Sequence, residues 1–89
     1  MPDLHGEIRL VVVTTAGDVD QEFGVDQPLR VVFDRALREV GGERNRDQFE
    51  LEYHDTALTD LSRPVGDYAR EFGWANGTHL ELVPKPVVV

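Results

Sequence analysis

The residues in this 89-residue sequence most able to support catalysis are carboxylates two positions apart. Glu50 with Glu52 and Asp18 with Asp20 have this spacing, which places both side chains of a pair on one face of a β-strand. Two carboxylates on one face can perform general acid–base chemistry when they line a cleft. The same spacing is typical of a half-exposed strand whose acidic residues keep a protein soluble, and we favour that interpretation.

Metal binding and nucleophilic catalysis have less support in the sequence. His5, His54 and His79 are scattered, and none has a second histidine at a ligand spacing such as His-x-x-x-His. The chain contains no cysteine, and Ser62, its only serine, does not lie in a Gly-x-Ser-x-Gly nucleophile elbow. We therefore expect neither an enzyme nor a metal or cofactor site.

The composition favours one small soluble domain. Seventeen acidic residues against nine basic ones give a net charge of −8, which repels the phosphate backbone of a nucleic acid. No stretch approaches the roughly 18 apolar residues of a membrane span, and residues 1–5 lack the pattern of a signal peptide. We expect a cytoplasmic protein that binds neither nucleic acid nor membrane, with one domain over residues 1–89, a core over about 7–84 and a C-terminal tail at 85–89.

The clearest structural pattern is an amphipathic helix. Its apolar residues recur at i, i+3, i+4, i+7, i+8 and i+11, and they are Leu29, Val32, Phe33, Ala36, Leu37 and Val40. Asp26 is expected to cap the start of this helix, and Gly41-Gly42 is expected to end it. On its exposed face, Asp34 and Arg38 have the i,i+4 spacing of an ion pair.

Alternating apolar and polar residues predict strands around this helix. Strands are expected at 7–13, 19–25, 49–54, 57–58 and 79–83. Residues 43–47 are expected to form a polar loop, and the segment after Pro64 to form one or two helical turns. The predicted order is ββαββ, a short helix, then β.

This order of elements resembles that of ubiquitin-like proteins. Val65-Gly66-Asp67-Tyr68 resembles the Leu-Ser-Asp-Tyr turn of the family, and residues 77–82, Gly-Thr-His-Leu-Glu-Leu, resemble its last strand. The likeness covers roughly residues 7–84. It implies an α+β, ubiquitin-like β-grasp fold, with a mixed four- to five-stranded sheet packed on one helix, and a protein that acts by being bound or attached.

A narrower resemblance is to bacterial ubiquitin-like proteins encoded beside E1-like, E2-like and JAB-peptidase-like genes in operons linked to antiphage defence. The similar segments are Asp26-Gln27-Pro28-Leu29, Phe49-Glu50-Leu51 and residues 72–78. This resemblance implies a protein modifier that is adenylated at its C-terminus and transferred to a target, with these three enzymes as partners. A second bacterial group, similar to YukD, shares the turn from Gly73 to Gly77 and implies a non-conjugated adaptor of type VII secretion.

The C-terminal tail departs from the modifier pattern. Conjugated members of the family generally end in Gly-Gly, because an activating enzyme threads a thin tail to its nucleotide. The tail here consists of Lys85, Pro86, Val87, Val88 and Val89. The modifier remains our first hypothesis, and the adaptor is the alternative.

One face of the predicted sheet is expected to bind the partner, because the helix covers only the other face. By alternation, the partner-binding residues on the open face are Val11, Val13, Glu50, Glu52, Glu81 and Val83. They predict a small apolar centre surrounded by carboxylates, which suits a partner with both apolar and basic groups. The alternative is a solvated face whose charge only keeps the protein soluble.

Overall fold

The structure is a computed structural model that describes residues 6–86. Over these residues the chain forms five strands, two α-helices and one 3-10 helix. In chain order they are β1 (Glu7–Thr14), β2 (Gly17–Gly24), α1 (Leu29–Val40), the 3-10 helix (Glu43–Gln48), β3 (Phe49–Tyr53), β4 (Thr56–Ala57), α2 (Val65–Phe72) and β5 (Thr78–Pro84). The predicted order of elements is confirmed, and the predicted polar loop is a 3-10 helix.

The five strands form one mixed sheet in the order β2-β1-β5-β3-β4. β1 and β2 are an antiparallel hairpin, and β3 pairs antiparallel with both β4 and β5. β5 pairs parallel with β1, so the first and last strands of the domain lie side by side at its centre. A parallel pair requires a crossover connection, and α1 is part of that connection.

The apolar stripe of α1 packs on one face of this sheet, as its periodicity predicts. Leu29, Val32, Phe33, Ala36 and Leu37 are buried, while Val40, at the end of the stripe, is only partly buried. The sheet contributes alternate residues to the same core, and these are Ile8, Leu10, Val12, Val19, Phe23, Leu51, Leu80 and Leu82. No helix within residues 6–86 therefore covers the other face of the sheet.

The start of α1 differs from the prediction. No side chain caps it, so the expectation for Asp26 is wrong. The N–H groups of Leu29 and Arg30 instead donate to the carbonyls of Arg63 and Leu61, both at 2.9 Å. A loop distant in sequence thus satisfies the first free N–H groups of the helix, which removes the need for a local cap.

The end of α1 follows the prediction more closely. Gly41 adopts a left-handed conformation with φ of 65°, and the Gly42 N–H donates to the Leu37 carbonyl at 2.9 Å. Asp34 does not pair with Arg38; its carboxylate binds Arg46 of the 3-10 helix at 2.8 Å. The unpredicted 3-10 helix therefore changes the partner of this exposed carboxylate.

A second helix supports the core beside α1. α2 has two turns and buries Val65, Tyr68 and Ala69. The Tyr68 hydroxyl donates to the Asp60 carbonyl at 3.1 Å and accepts the Asp60 N–H at 3.2 Å. No helix in the described part of the chain is long and apolar enough to span a membrane.

Candidate functional site

The face of the sheet opposite α1, here called the open sheet face, carries most of the predicted site residues. Alternation with the buried positions of each strand defines its members. They are Glu7, Arg9, Val11 and Val13 of β1, Asp18, Asp20 and Glu22 of β2, Glu50 and Glu52 of β3, and His79, Glu81 and Val83 of β5. The face combines seven carboxylates with three valines, one arginine and one histidine.

Register brings five of the six predicted partner-binding residues together. Val13 lies beside Glu81 across the β1–β5 pair, and Glu81 lies opposite Glu52 across the β5–β3 pair. These three side chains form one row across three strands. Val83 and Glu50, which lie opposite each other, form the next row.

The sixth residue, Val11, lies on the expected face of the sheet but is buried. It lies beside Asp20 and His79, two residues along β1 from Val13, and only 6% of its surface is exposed. Val13 is 37% exposed and Val83 is half-buried. The accessible apolar centre is therefore Val13 with part of Val83, and Val11 contributes little contact area.

Within residues 6–86, the acidic end of the open sheet face has no neutralising cation. Among the described residues, no ion pair engages Glu50, Glu52 or Glu81. The pKa of Glu52 is raised above its ordinary value by desolvation and then by the charges of Glu50, Asp55 and Glu81. A basic group brought to this end would relieve that repulsion.

The other end of the open sheet face is partly neutralised. The Arg9 guanidinium binds the two carboxylate oxygens of Asp20 at 2.7 and 3.0 Å, and this hydrogen bonding lowers the pKa of Asp20. The neighbouring Glu22 carboxylate raises the pKa of Glu7, first by hydrogen bonding to its protonated form and second by repelling its charged form. His79, missing from the sequence prediction, lies close enough for its charge to lower the pKa of Asp20 as well. Alternation along β5, applied to its first residues, would have placed His79 on this face.

The chemistry of these groups suits binding. No set of three or more histidine and carboxylate residues within residues 6–86 is arranged to hold a metal ion. The carboxylates of the open sheet face occupy exposed or half-buried strand positions, whereas acid–base catalysis by paired carboxylates needs a cleft that positions a substrate. The arrangement suits recognition of a protein surface with basic and apolar groups.

The C-terminal tail begins where β5 ends. The Lys85 N–H donates to the Gln48 carbonyl at 2.8 Å, so backbone pairing continues one residue past Pro84. Lys85 and Pro86 are exposed. The other predicted tail residues, Val87, Val88 and Val89, lie outside the described residues.

Comparison with known proteins gives structural matches alone. No family model matches the chain, and no curated protein matches it by sequence. A designed protein based on ubiquitin matches with a TM-score of 0.68 and 17% identity over 93% of this chain and 94% of that one. A ubiquitin-like domain of an Arabidopsis thaliana protein matches with a TM-score of 0.64 and 15% identity over 91% of this chain and 80% of that one.

A third solved structure, ubiquitin of Caldiarchaeum subterraneum, matches with a TM-score of 0.64 and 18% identity over 94% of this chain and 100% of that one. At these identities the likeness concerns the fold alone. In all three cases it covers more than nine tenths of this chain, including both halves of the mixed sheet. The chain therefore has the ubiquitin-like β-grasp fold, in its α+β form with a mixed five-stranded sheet.

Proposed function

We propose that this chain is a ubiquitin-like protein modifier in a bacterial ubiquitination-like pathway of antiphage defence. Its partners in this proposal are an E1-like enzyme that activates it, an E2-like enzyme that transfers it and a JAB-like peptidase that removes it. The observation that carries the proposal is the open sheet face. On a fold similar to that of Caldiarchaeum subterraneum ubiquitin, this face presents an exposed valine beside carboxylates that have no cation within the described residues.

The chemistry of the open sheet face determines the kind of partner surface. Val13 and the accessible part of Val83 provide an apolar contact, and Glu50, Glu52 and Glu81 lie around them. Apolar contacts at the centre of an interface stabilise the bound state, whereas charges at its rim mainly accelerate association. We therefore expect each partner to present an apolar side chain flanked by lysine or arginine.

The second candidate function is a non-conjugated adaptor of a type VII secretion system. The observation that favours it is the bulk of Val87, Val88 and Val89, at positions where the resembled modifiers have thin glycines. An adaptor would use the same open sheet face without any covalent step. The two candidates differ in whether these three residues are needed.

The test is ATP-dependent adduct formation with a bacterial E1-like enzyme. Deletion of residues 87–89 should abolish the adduct and leave the melting temperature unchanged, because β5 ends at Pro84, before the deletion, and Pro86 has no N–H with which to continue the pairing. Arg70→Ala, an exposed change on α2, serves as the control and should form the adduct normally.

Two results would contradict the modifier proposal. An adduct that forms undiminished without residues 87–89 would show that activation does not use the tail. Absence of any adduct with the full chain, combined with partner binding that survives the deletion, would favour the adaptor.

A further inference from the structure

Val11 is buried on a face of the sheet that no helix within residues 6–86 covers. It lies on the same strand and the same face as Val13, yet 6% of its surface is exposed against 37% for Val13. Both valines have an aspartate beside them on β2 and a polar residue beside them on β5. The burial of Val11 therefore needs a cause other than its immediate neighbours across the sheet.

The side chain of Arg9 is placed to supply this cause. Arg9 precedes Val11 by two residues on the open sheet face, and its guanidinium binds both carboxylate oxygens of Asp20, at 2.7 and 3.0 Å. Asp20 lies beside Val11 on β2. On the other side of β1, a Cβ at Gly77 would lie 3.6 Å from Arg9 Nη1. The guanidinium thus reaches from Asp20 towards Gly77, across β1 and next to Val11, and is here called the cover of Val11.

The bond that holds this cover is open to exchange. About half of each side chain is exposed to solvent, 47% for Arg9 and 51% for Asp20. Exposed ion pairs contribute little to stability, because water solvates the separated charges almost as well as they solvate each other. An arginine from another protein can make the same two-pronged contact with Asp20.

Arg9 also has a second carboxylate within reach on β2. Glu22 lies directly opposite Arg9, and its charge already acts on the Arg9 guanidinium. Within residues 6–86 no ion pair engages Glu22, and Glu22 raises the pKa of its neighbour Glu7. A guanidinium moved from Asp20 to Glu22 would relieve the repulsion between these two glutamates. Because Glu22 lies two register positions from Val11, this second position would leave Val11 uncovered.

We propose that a partner of the open sheet face places an arginine on Asp20, releases Arg9 and packs an apolar side chain on Val11. Val11 then joins the apolar centre at Val13, which is larger in the complex than in the free protein. An apolar partner without a cation cannot open the cover, and a cation without an apolar group gains nothing from Val11, so the cover selects for both. This inference rests on the proposed use of the open sheet face and adds the position of the partner's arginine.

The cover is tested on the free protein with a neutral gadolinium chelate, which speeds the NMR relaxation of methyl groups that it can approach. In wild type the Val11 methyls should be nearly as protected as those of fully buried Val12, whereas the Val13 methyls should relax fast. Arg9→Ala should move Val11 towards the behaviour of Val13. Asp20→Asn, which keeps the size of the side chain and weakens its bond to Arg9, should do the same to a smaller extent.

Arg70→Ala is the matched control, because it breaks an exposed ion pair with Asp67 on α2, away from the open sheet face. It should leave the relaxation of the Val11 methyls unchanged. Amide spectra that match wild type away from each substitution show that the variants are folded. If Val11 stays as protected as in wild type in both Arg9→Ala and Asp20→Asn, Arg9 is not its cover and the inference is overturned.

Displacement is tested with a capped peptide of alternating arginine and leucine, with the lysine counterpart as the charge-matched control. With the arginine peptide we expect cross-relaxation between leucine methyls and the Val11 methyls, and a shift of the Arg9 Nε–H signal as its bond to Asp20 breaks. The lysine peptide has the same charge but cannot make the two-pronged contact, so it should contact Val13 with little effect at Val11. Val11→Thr, which replaces a methyl with a hydroxyl of similar size, should weaken binding of the arginine peptide by about fourfold.

Three results would contradict displacement. An arginine peptide that contacts Val13 and leaves the signals of Val11 and Arg9 unchanged would overturn it. An arginine peptide that does not bind this face would overturn it as well, together with the charge argument for a basic partner. Equal contacts of both peptides with Val11 would contradict the requirement for arginine.

The modifier proposal is tested separately, by ATP-dependent adduct formation. A Val11 contact in a protein that forms no adduct would contradict the modifier and leave the displacement of Arg9 intact. An adduct formed by a protein whose Val11 stays covered when the arginine peptide binds would do the reverse.

Discussion

Glu52 of β3 and Glu81 of β5 lie directly opposite each other in the antiparallel register, on the open sheet face. Like charges in this position destabilise a sheet. The raised pKa of Glu52 has desolvation as its first cause, followed by Glu50, Asp55 and Glu81. The free protein thus carries a repulsion that a basic group of a partner would convert into attraction, which supports a binding role for this face.

Glu81→Gln should raise the melting temperature at pH 7 by a small amount. The folded protein holds the Glu52 proton more tightly than the unfolded chain does, so the contribution of Glu52 to stability falls as the pH rises through the range just above 4.5. Removing the charge opposite Glu52 weakens that loss. Thermal melts from pH 3 to 7 should show that the melting temperature of Glu81→Gln exceeds that of wild type at pH 7 and equals it below pH 4.5. The control Glu43→Gln should show no difference at either pH. A gain in melting temperature at pH 3 equal to that at pH 7 would refute the explanation.

Leu37→Ala should lower the free energy of unfolding by about 2–5 kcal/mol. Leu37 is 1% exposed and lies in the core between α1 and the sheet, so its truncation removes buried apolar surface and leaves a cavity. The loss is large for a small domain, whose total stability is about 5–15 kcal/mol. Urea unfolding measures it, with the exposed neighbour Arg38→Ala as control; equal midpoints for the two variants would contradict the packing of α1.

Tyr68→Phe should cost about 1–2 kcal/mol, because it removes a hydroxyl that both donates to and accepts from the Asp60 backbone. Tyr53→Phe is a matched control, since no hydrogen bond of its hydroxyl is found within residues 6–86. Urea unfolding gives the stability difference, and amide exchange at Asp60 reports the local effect. Identical exchange rates in the two variants would show that the hydroxyl does not hold this loop.

Periodicity predicted the parts of the fold that depend on neighbouring residues. The stripe of α1 and the inward Leu80 and Leu82 of β5 follow from spacing alone, because a helix or strand must bury one face whatever it packs against. The resemblance to ubiquitin-like proteins supplied the topology, which spacing could not. The structural comparisons confirm that fold.

Contacts between distant residues could not be predicted in this way. The bonds from Leu29 and Arg30 to the loop at 61–63 replaced the expected cap, and Arg46 replaced Arg38 as the partner of Asp34. Alternation correctly placed Val11 on the open sheet face. It could not show that Val11 is buried there, because that burial depends on which side chains the register places next to it.

Lys85 determines what kind of conjugate the proposed modifier can form. It is the only lysine in the sequence, so lysine-linked polymers can use no other side chain. It lies at the start of the tail, bonded through its N–H to Gln48, where a second copy would crowd the attachment end. We expect single modifications on denaturing gels; regular ladders that persist with Lys85→Arg and a blocked N-terminus would contradict this.

The open sheet face can be tested with two variants that act on different kinetic steps. Glu50→Arg with Glu52→Arg reverses the charge at its acidic end and should slow association with a partner by about tenfold at low salt, with a weaker salt dependence than wild type. Val13→Arg places a charge on the most exposed valine of the open sheet face and should instead accelerate dissociation.

These two effects can be separated because rim charges act during the encounter, whereas the apolar centre acts only after water has been excluded. Surface plasmon resonance at two salt concentrations measures both rates, and melting temperatures near that of wild type would show that neither variant is misfolded. Asp26→Arg with Glu43→Arg makes the same change in charge away from the open sheet face and is the control. If the control slows association as much as Glu50→Arg with Glu52→Arg does, only the net charge of the protein affects the association rate. If, in addition, the complex of Val13→Arg dissociates at the wild-type rate, the partner does not bind the open sheet face.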